Sequence, residues 1–123
     1  MTSVTRMRPL VVKVTAGQDA PERCLQALTV ASVAAASGAT VSLWLTGESV
    51  WLATPGRDLE LPASPPASEL LAAVLALGTV TVCTQCATRR ALTQSDLLAR
   101  VRIAGAAAFA DEVLADDVQA LVY

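Results

Sequence analysis

At 123 residues the chain has the size of one domain, large enough to bury roughly two thirds of its unfolded surface, so folding requires neither metal nor disulfides. Hydrophobic residues make up 54% of it, aromatic residues 3% and charged residues 16%, with a net charge of −2 and no histidine. Histidine-based acid–base catalysis and histidine metal sites are therefore excluded, and the lack of a basic stripe or of aromatics for base stacking speaks against a nucleic-acid surface.

The opening MTSVTRMRPLVVKV carries basic residues, but its apolar run is short and broken by Lys13, so it reads as a lead into a strand and not as a signal peptide. Leu10–Thr15 is β-branched and short, the pattern of a buried strand. Ala16-Gly17-Gln18 breaks it. Asp19 with Glu22 three positions on, and Pro21 between, predicts a helix start capped by Asp19. That helix runs to about Ser37, with Leu25, Leu28, Ala31, Ser32 and Ala35 at helical spacing facing a sheet, and Gly38 supplies a left-handed stop. Thr40–Leu45 is apolar on both faces apart from Ser42, which predicts a central, parallel strand. A turn at Gly47 leads to a short helix over Glu48–Leu52, ended by Thr54-Pro55-Gly56. Residues 56–68 form a surface loop.

Ser68 is expected to cap a helix through Leu77, closed by Gly78, and Thr79–Cys83 is the third strand. After Cys86 a short helix carries Arg89 and Arg90. Thr93 with Asp96 forms a second capping pattern, with Leu92 stapled onto Leu97. Val101–Ile103 reads as a short strand, Ala106–Ala115 as a helix and Ala120–Tyr123 as the terminal strand. Strands alternating with helices predict the α/β class: a three-layer α/β/α sandwich of flavodoxin-like layering, on a mainly parallel sheet of about five strands. The low-charge stretch Leu70–Cys83 is too short to span a bilayer, so no membrane is expected. Three cysteines at uneven spacing fit a reducing, cytoplasmic setting rather than a disulfide framework. The small share of charged residues leaves apolar surface for a further subunit, so an oligomer is expected.

Open parallel sheets place their sites at the carboxyl ends of the strands, where Thr15–Gln18, Leu45–Glu48 and Cys83–Cys86 should meet. Cys83 ends a strand just before a helix whose free amides point back at it, a setting that favours a thiolate or persulfide anion. Arg89 and Arg90 lie within two turns and could add to the same field. Gly17, Gln18 and Gly47 occupy the facing strand ends as candidate substrate contacts. Cys86 reads as a resolving thiol, a second sulfur acceptor or a packing residue. Cys24, inside the first helix, reads as an inert small hydrophobe, and Trp44 and Trp51 as core or interface aromatics. Neither GxxxxGK[ST] nor GxGxxG occurs, and a single CxxC leaves two zinc ligands missing, so no nucleotide, cofactor or metal is expected.

The stretch Val80-Thr81-Val82-Cys83-Thr84-Gln85-Cys86-Ala87-Thr88-Arg89-Arg90-Ala91-Leu92 resembles the cysteine segment of the DsrE/DsrF-like family, which shares the YchN-like fold. The Lys13–Gly17 opening with Asp19–Arg23, and the closing Ala120-Leu121-Val122-Tyr123, also look like the ends of that family. The resemblance implies a small α/β domain assembled as a homo- or hetero-oligomer of trimer or hexamer type. Its best-understood members carry sulfane sulfur as a cysteine persulfide, on a Cys six residues before the first Arg of an Arg-Arg pair. Cys83 stands at that spacing from Arg89, and Cys86 matches the second Cys of the CxxC variants. Ala91 departs from the pattern, since many relatives carry Gly there.

Three functional readings follow. The first is a sulfur carrier or sulfurtransferase in which Cys83 accepts sulfane sulfur from a donor and relays it to a partner thiol. The second is a non-catalytic oligomeric domain that binds a small ligand or a protein tail at the strand ends. The third is a dithiol oxidoreductase using Cys83 and Cys86, which is disfavoured because no proline follows Pro66 to stand opposite a thioredoxin-type CxxC.

Overall fold

The computed structural model describes residues Met7–Tyr123; the first part of the N-terminal lead lies outside the described residues. Five short strands, β1 (Leu10–Val14), β2 (Val41–Leu45), β3 (Thr79–Cys83), β4 (Arg102–Ala104) and β5 (Gln119–Val122), form one sheet in the order β4-β3-β2-β1-β5. Every neighbouring pair is parallel. Four helices connect them: α1 (Pro21–Ala36), α2 (Ala67–Leu77), α3 (Thr84–Arg89) and α4 (Ala106–Val113).

The strand pleat sorts the side chains. Val12, Val14, Val41, Leu43, Leu45, Val80 and Val82 point to one face and form the core together with Leu25, Leu28, Ala31 and Ala35 of α1 and Leu70, Leu71 and Val74 of α2. Ser32 is buried with the α1 stripe, and Gly38 behind the helix takes φ +99°. The small residues along α1 let it lie close to both the sheet and α2. The alternate strand positions form the opposite face, where Lys13 and Trp44 are paired across β1 and β2, and Trp44 and Thr81 across β2 and β3. The chain runs β1 to β4 in one direction and then returns across this face through α4 to reach β5, beside β1. None of the α4 residues is buried. That layer is thin, and its contacts are polar as well as aromatic.

Several local expectations shift. Asp19 does not cap α1: Ala20 occupies the N-cap position without a side-chain bond, and the Asp19 carboxylate instead accepts from the Gly17 N–H at 2.8 Å. Pro66, not Ser68, precedes α2. Ser68 lies in the first turn, and its N–H and hydroxyl donate to the Asp58 carboxylate at 2.9 and 2.7 Å. A loop residue ten positions upstream thus satisfies the helix start from outside, which local spacing does not reveal. The helix expected after Cys86 begins at Thr84, directly behind Cys83. The expected capping box of Thr93 and Asp96 is present, around a single turn of 3₁₀ helix at Gln94–Asp96. Among the described residues, no helix is long and apolar enough to cross a membrane.

Candidate functional site

The carboxyl ends of β1, β2 and β3 meet the start of α4 around a cavity of about 270 Å³. Cys83, Cys86 and Gln85 line it from one side, Lys13 and Thr15 from another, and Thr46 and Gly47 from between. Trp44, Phe109 and Ala106 wall it on the α4 side.

Two glycines allow the strand-end loops to approach this closely. A side chain at Gly17 would place its Cβ 2.6 Å from the Glu48 carbonyl oxygen. Gly47 takes φ +56°, and a Cβ there would lie 2.6 Å from the Thr15 carbonyl oxygen. The Thr46 and Ser49 hydroxyls donate to the Val14 carbonyl at 2.9 and 3.0 Å and hold the 3₁₀ turn Gly47–Ala53 on the end of β1. So positioned, the Gly47 N–H donates to Cys86 Sγ at 3.2 Å.

Cys83 is half-buried, and Cys86 and Cys24 are buried; all three are free thiols. Cys83 occupies the N-cap position of α3. Burial opposes its ionisation, but the Cys86 amide and thiol, the Gln85 amide and the Lys13 ammonium together outweigh burial and hold its pKa below the ordinary thiol value. The amides point at the sulfur without closing a tight capping bond. A polar relay results: the Gly47 N–H contacts the Cys86 sulfur, and the Cys86 thiol donates toward Cys83. The anion is thereby favoured on Cys83, the more accessible sulfur. Cys24 behaves oppositely. Burial, then the charge of Asp19, push its thiol up to about 11, as expected of a packing residue.

The arginines stand elsewhere. Arg89 is exposed on the last turn of α3 and is not among the residues lining the cavity. Arg90 donates through Nη2 to Glu48 Oε1 at 2.9 Å and through Nη1 to the Cys86 carbonyl at 3.1 Å. It thus ties the far end of α3 to the 3₁₀ turn that carries Gly47, and it is not among the residues that line the cavity with the thiols. Gly17 is buried behind the cavity wall, and Gln18 is exposed outside it; of the three candidate strand-end contacts, only Gly47 lines the space with Cys83 and Cys86.

Sequence reasoning missed Lys13 and Phe109. The Lys13 Nζ lies 5.1 Å from the centroid of the Phe109 ring, which in turn meets the Trp44 ring edge-on at 5.3 Å. A signal for Lys13 was available: a lone charge inside an apolar strand needs a reason to be there. For Phe109 none was, because its partners come from strands at the other end of the chain. Behind this aromatic wall the Glu112 carboxylate accepts from the Ser42 hydroxyl, from Trp44 Nε1 at 3.2 Å and from Arg102 Nη2 at 2.5 Å. Burial alone would push the Glu112 carboxyl up, but the Ser42 hydroxyl, the Trp44 indole and the Arg102 guanidinium outweigh it and hold it below the ordinary value. Arg102 Nε also donates to the Thr81 hydroxyl at 2.5 Å. This network fastens α4 to β2, β3 and β4.

A five-stranded parallel sheet with a free cysteine at the β3–α3 turn defines an α/β protein whose candidate site lies at the strand ends. The sequence profile of the DsrE/DsrF-like family matches residues 9–119, and the chain belongs to that family, which is associated in general with sulfur relay. In structure it is similar to the YchN protein of E. coli, with a TM-score of 0.80 at 19% identity over 95% of this chain and 100% of that one. It is also similar to MTH1491, a protein of unknown function from Methanobacterium thermoautotrophicum, with a TM-score of 0.72 at 11% identity and coverage of 95% and 100%. At such identities the likeness is one of fold. Among curated proteins none matches the chain by sequence.

Proposed function

We propose that the protein is a sulfur carrier of the sulfurtransferase type, which holds sulfane sulfur as a persulfide on Cys83 and relays it to a partner thiol. The observation that carries this reading is the placement of Cys83. It is a half-buried thiol with a lowered pKa, at the edge of a cavity, with amide, thiol and ammonium groups directed at it.

The Cys83 thiolate attacks the outer sulfur of a persulfide donor. A new sulfur–sulfur bond forms on Cys83 as the donor's own breaks, and the electron pair leaves on the donor thiolate. In the second half the acceptor thiolate attacks the outer sulfur of the Cys83 persulfide and returns Cys83 to its starting state. No net oxidant or reductant is required. The donors that favour the Cys83 thiolate also favour its persulfide anion and, in the second half, its departure. Cys86, buried beneath it, supports the anion by donating from its thiol.

The carrier works in a reducing, cytoplasmic compartment, as a homo- or hetero-oligomer whose size light scattering would give. The reading is tested by incubating the protein with an organic persulfide and measuring intact mass and peptide masses. One added sulfur atom is expected on Cys83, released by cyanide as thiocyanate and absent from a Cys83→Ser variant. Undiminished loading of that variant would defeat the proposal.

A further inference from the structure

Lys13 is the chain's single lysine and stands within an otherwise apolar strand. A half-buried ammonium ordinarily has a carboxylate partner, because its desolvation is otherwise uncompensated. Among the described residues the ion pairs are Arg90–Glu48 and Arg102–Glu112, and Lys13 takes part in neither. No acidic side chain lines the cavity that it shares with Cys83. The ammonium lies instead near the Phe109 ring, in the cavity wall that it shares with the Cys83 sulfur, on which its charge acts. The cavity, about 270 Å³, is below the range of drug-sized ligand pockets and suits a ligand of a few heavy atoms. It therefore combines a cation that is in neither of those ion pairs, a thiol and an aromatic wall at a scale that suits small anions.

We infer that this cavity binds small sulfur oxyanions, with Lys13 holding their oxygens beside Cys83. Anion binding of this kind stands independently of the persulfide reading; its use in transfer rests on that reading. Thiosulfate is the simplest member of the class that carries a sulfane sulfur. With its oxygens at Lys13, its outer sulfur faces Cys83. The Cys83 thiolate attacks that sulfur, the sulfur–sulfur bond of thiosulfate breaks, and the electron pair departs on sulfite. Charge balances, and no further reactant enters. In reverse, sulfite attacks the outer sulfur of the Cys83 persulfide and leaves as thiosulfate. Lys13 offsets the repulsion between two anions on approach and the charge gathering on sulfite as it departs.

The test uses sulfate, an unreactive tetrahedral oxyanion, as a protecting ligand against alkylation of Cys83 by the neutral reagent iodoacetamide. Chloride at matched ionic strength is the control. Each variant is referred to its own sulfate-free rate, which removes any effect of Lys13 on thiol acidity. Sulfate is expected to slow alkylation saturably in the wild type and in Lys13→Arg, but not in Lys13→Met. Thiosulfate should leave one sulfur atom on Cys83 with release of sulfite, and Lys13→Met should lose this about tenfold or more beyond its change in alkylation rate. Protection no greater than that of chloride, or equal protection of Lys13→Met and wild type, would overturn the inference. Loading of Cys83 by an organic persulfide without sulfate protection would leave the carrier reading intact and remove this one. Sulfate protection with no loading from any donor would do the opposite.

Discussion

Replacing Glu112 by alanine removes the acceptor that fastens α4 over the second face of the sheet. Three losses follow. The ion pair with Arg102 is half-exposed on the arginine side and one-quarter exposed on the glutamate side, so it contributes about 1 kcal/mol rather than the value of a buried pair. Trp44 is almost fully buried, and leaving its indole N–H without an acceptor costs about 1–2 kcal/mol. The Ser42 hydroxyl can rotate toward another partner and adds at most about 0.5 kcal/mol. The variant should therefore be destabilised by about 2–3 kcal/mol, and for a domain of this size the melting temperature should fall by about 6–12 °C. Glu112→Gln keeps one acceptor and should lose about 1 kcal/mol, chiefly the ion pair.

The pH dependence follows from the lowered pKa of Glu112 in the folded state. Its stabilisation is fully present above the ordinary carboxylate pKa and is lost as pH falls through the lowered, folded value. The gap between wild type and Glu112→Ala should be widest at neutral pH and close on acidification. Urea unfolding at a series of pH values measures it. Because Phe109 and Ala106 ride on α4, alkylation of Cys83 should quicken in the same variant. A melting temperature within about 2 °C of wild type, with a gap independent of pH, would refute the assigned role of the network.

Two further outcomes can be stated. Cys86→Ala removes a thiol donor from the Cys83 anion; a weak S–H donor is worth about 0.7–1.4 kcal/mol here, so iodoacetamide alkylation at neutral pH should slow about three- to tenfold. The rate–pH curve should move to higher pH with its upper limit unchanged, and an unmoved curve would exclude the relay. Ala91→Gly should stabilise the protein by about 0.5–1 kcal/mol in thermal unfolding, since Ala91 is held at φ +55° on the exposed turn behind α3; a loss of stability would contradict that turn.

The Ala91 conformation also shows why a residue departing from a family pattern need not change a fold. The left-handed turn is kept, at a local cost, because Leu92 behind it packs on the core and donates its N–H to the Ala87 carbonyl at 2.9 Å. β1, β2 and β3 were legible because each is a short run of β-branched and aliphatic residues, and the position of Cys83 because it ends the last of these runs. Parallel order was legible because β2 is apolar on both faces. The surroundings of Cys83 were not. Arg90 follows Arg89 directly, yet its bonds to Glu48 and to the Cys86 carbonyl hold it outside the cavity that the thiols line, and no spacing rule encodes that choice. Lys13 and Phe109 meet only after α4 has crossed the sheet. Both unpredicted helix-start arrangements had the same origin, in that a nearby carboxylate found a better donor: Asp19 took the Gly17 amide and Asp58 the Ser68 amide and hydroxyl.

A solitary lysine also makes the molecule its own reporter. Amine-directed acylating agents find a single side chain to mark, and that side chain stands in the wall of the cavity that Cys83 also lines. Occupancy could thus be followed by footprinting one peptide, with no dye, tag or added cysteine to disturb the chemistry it measures.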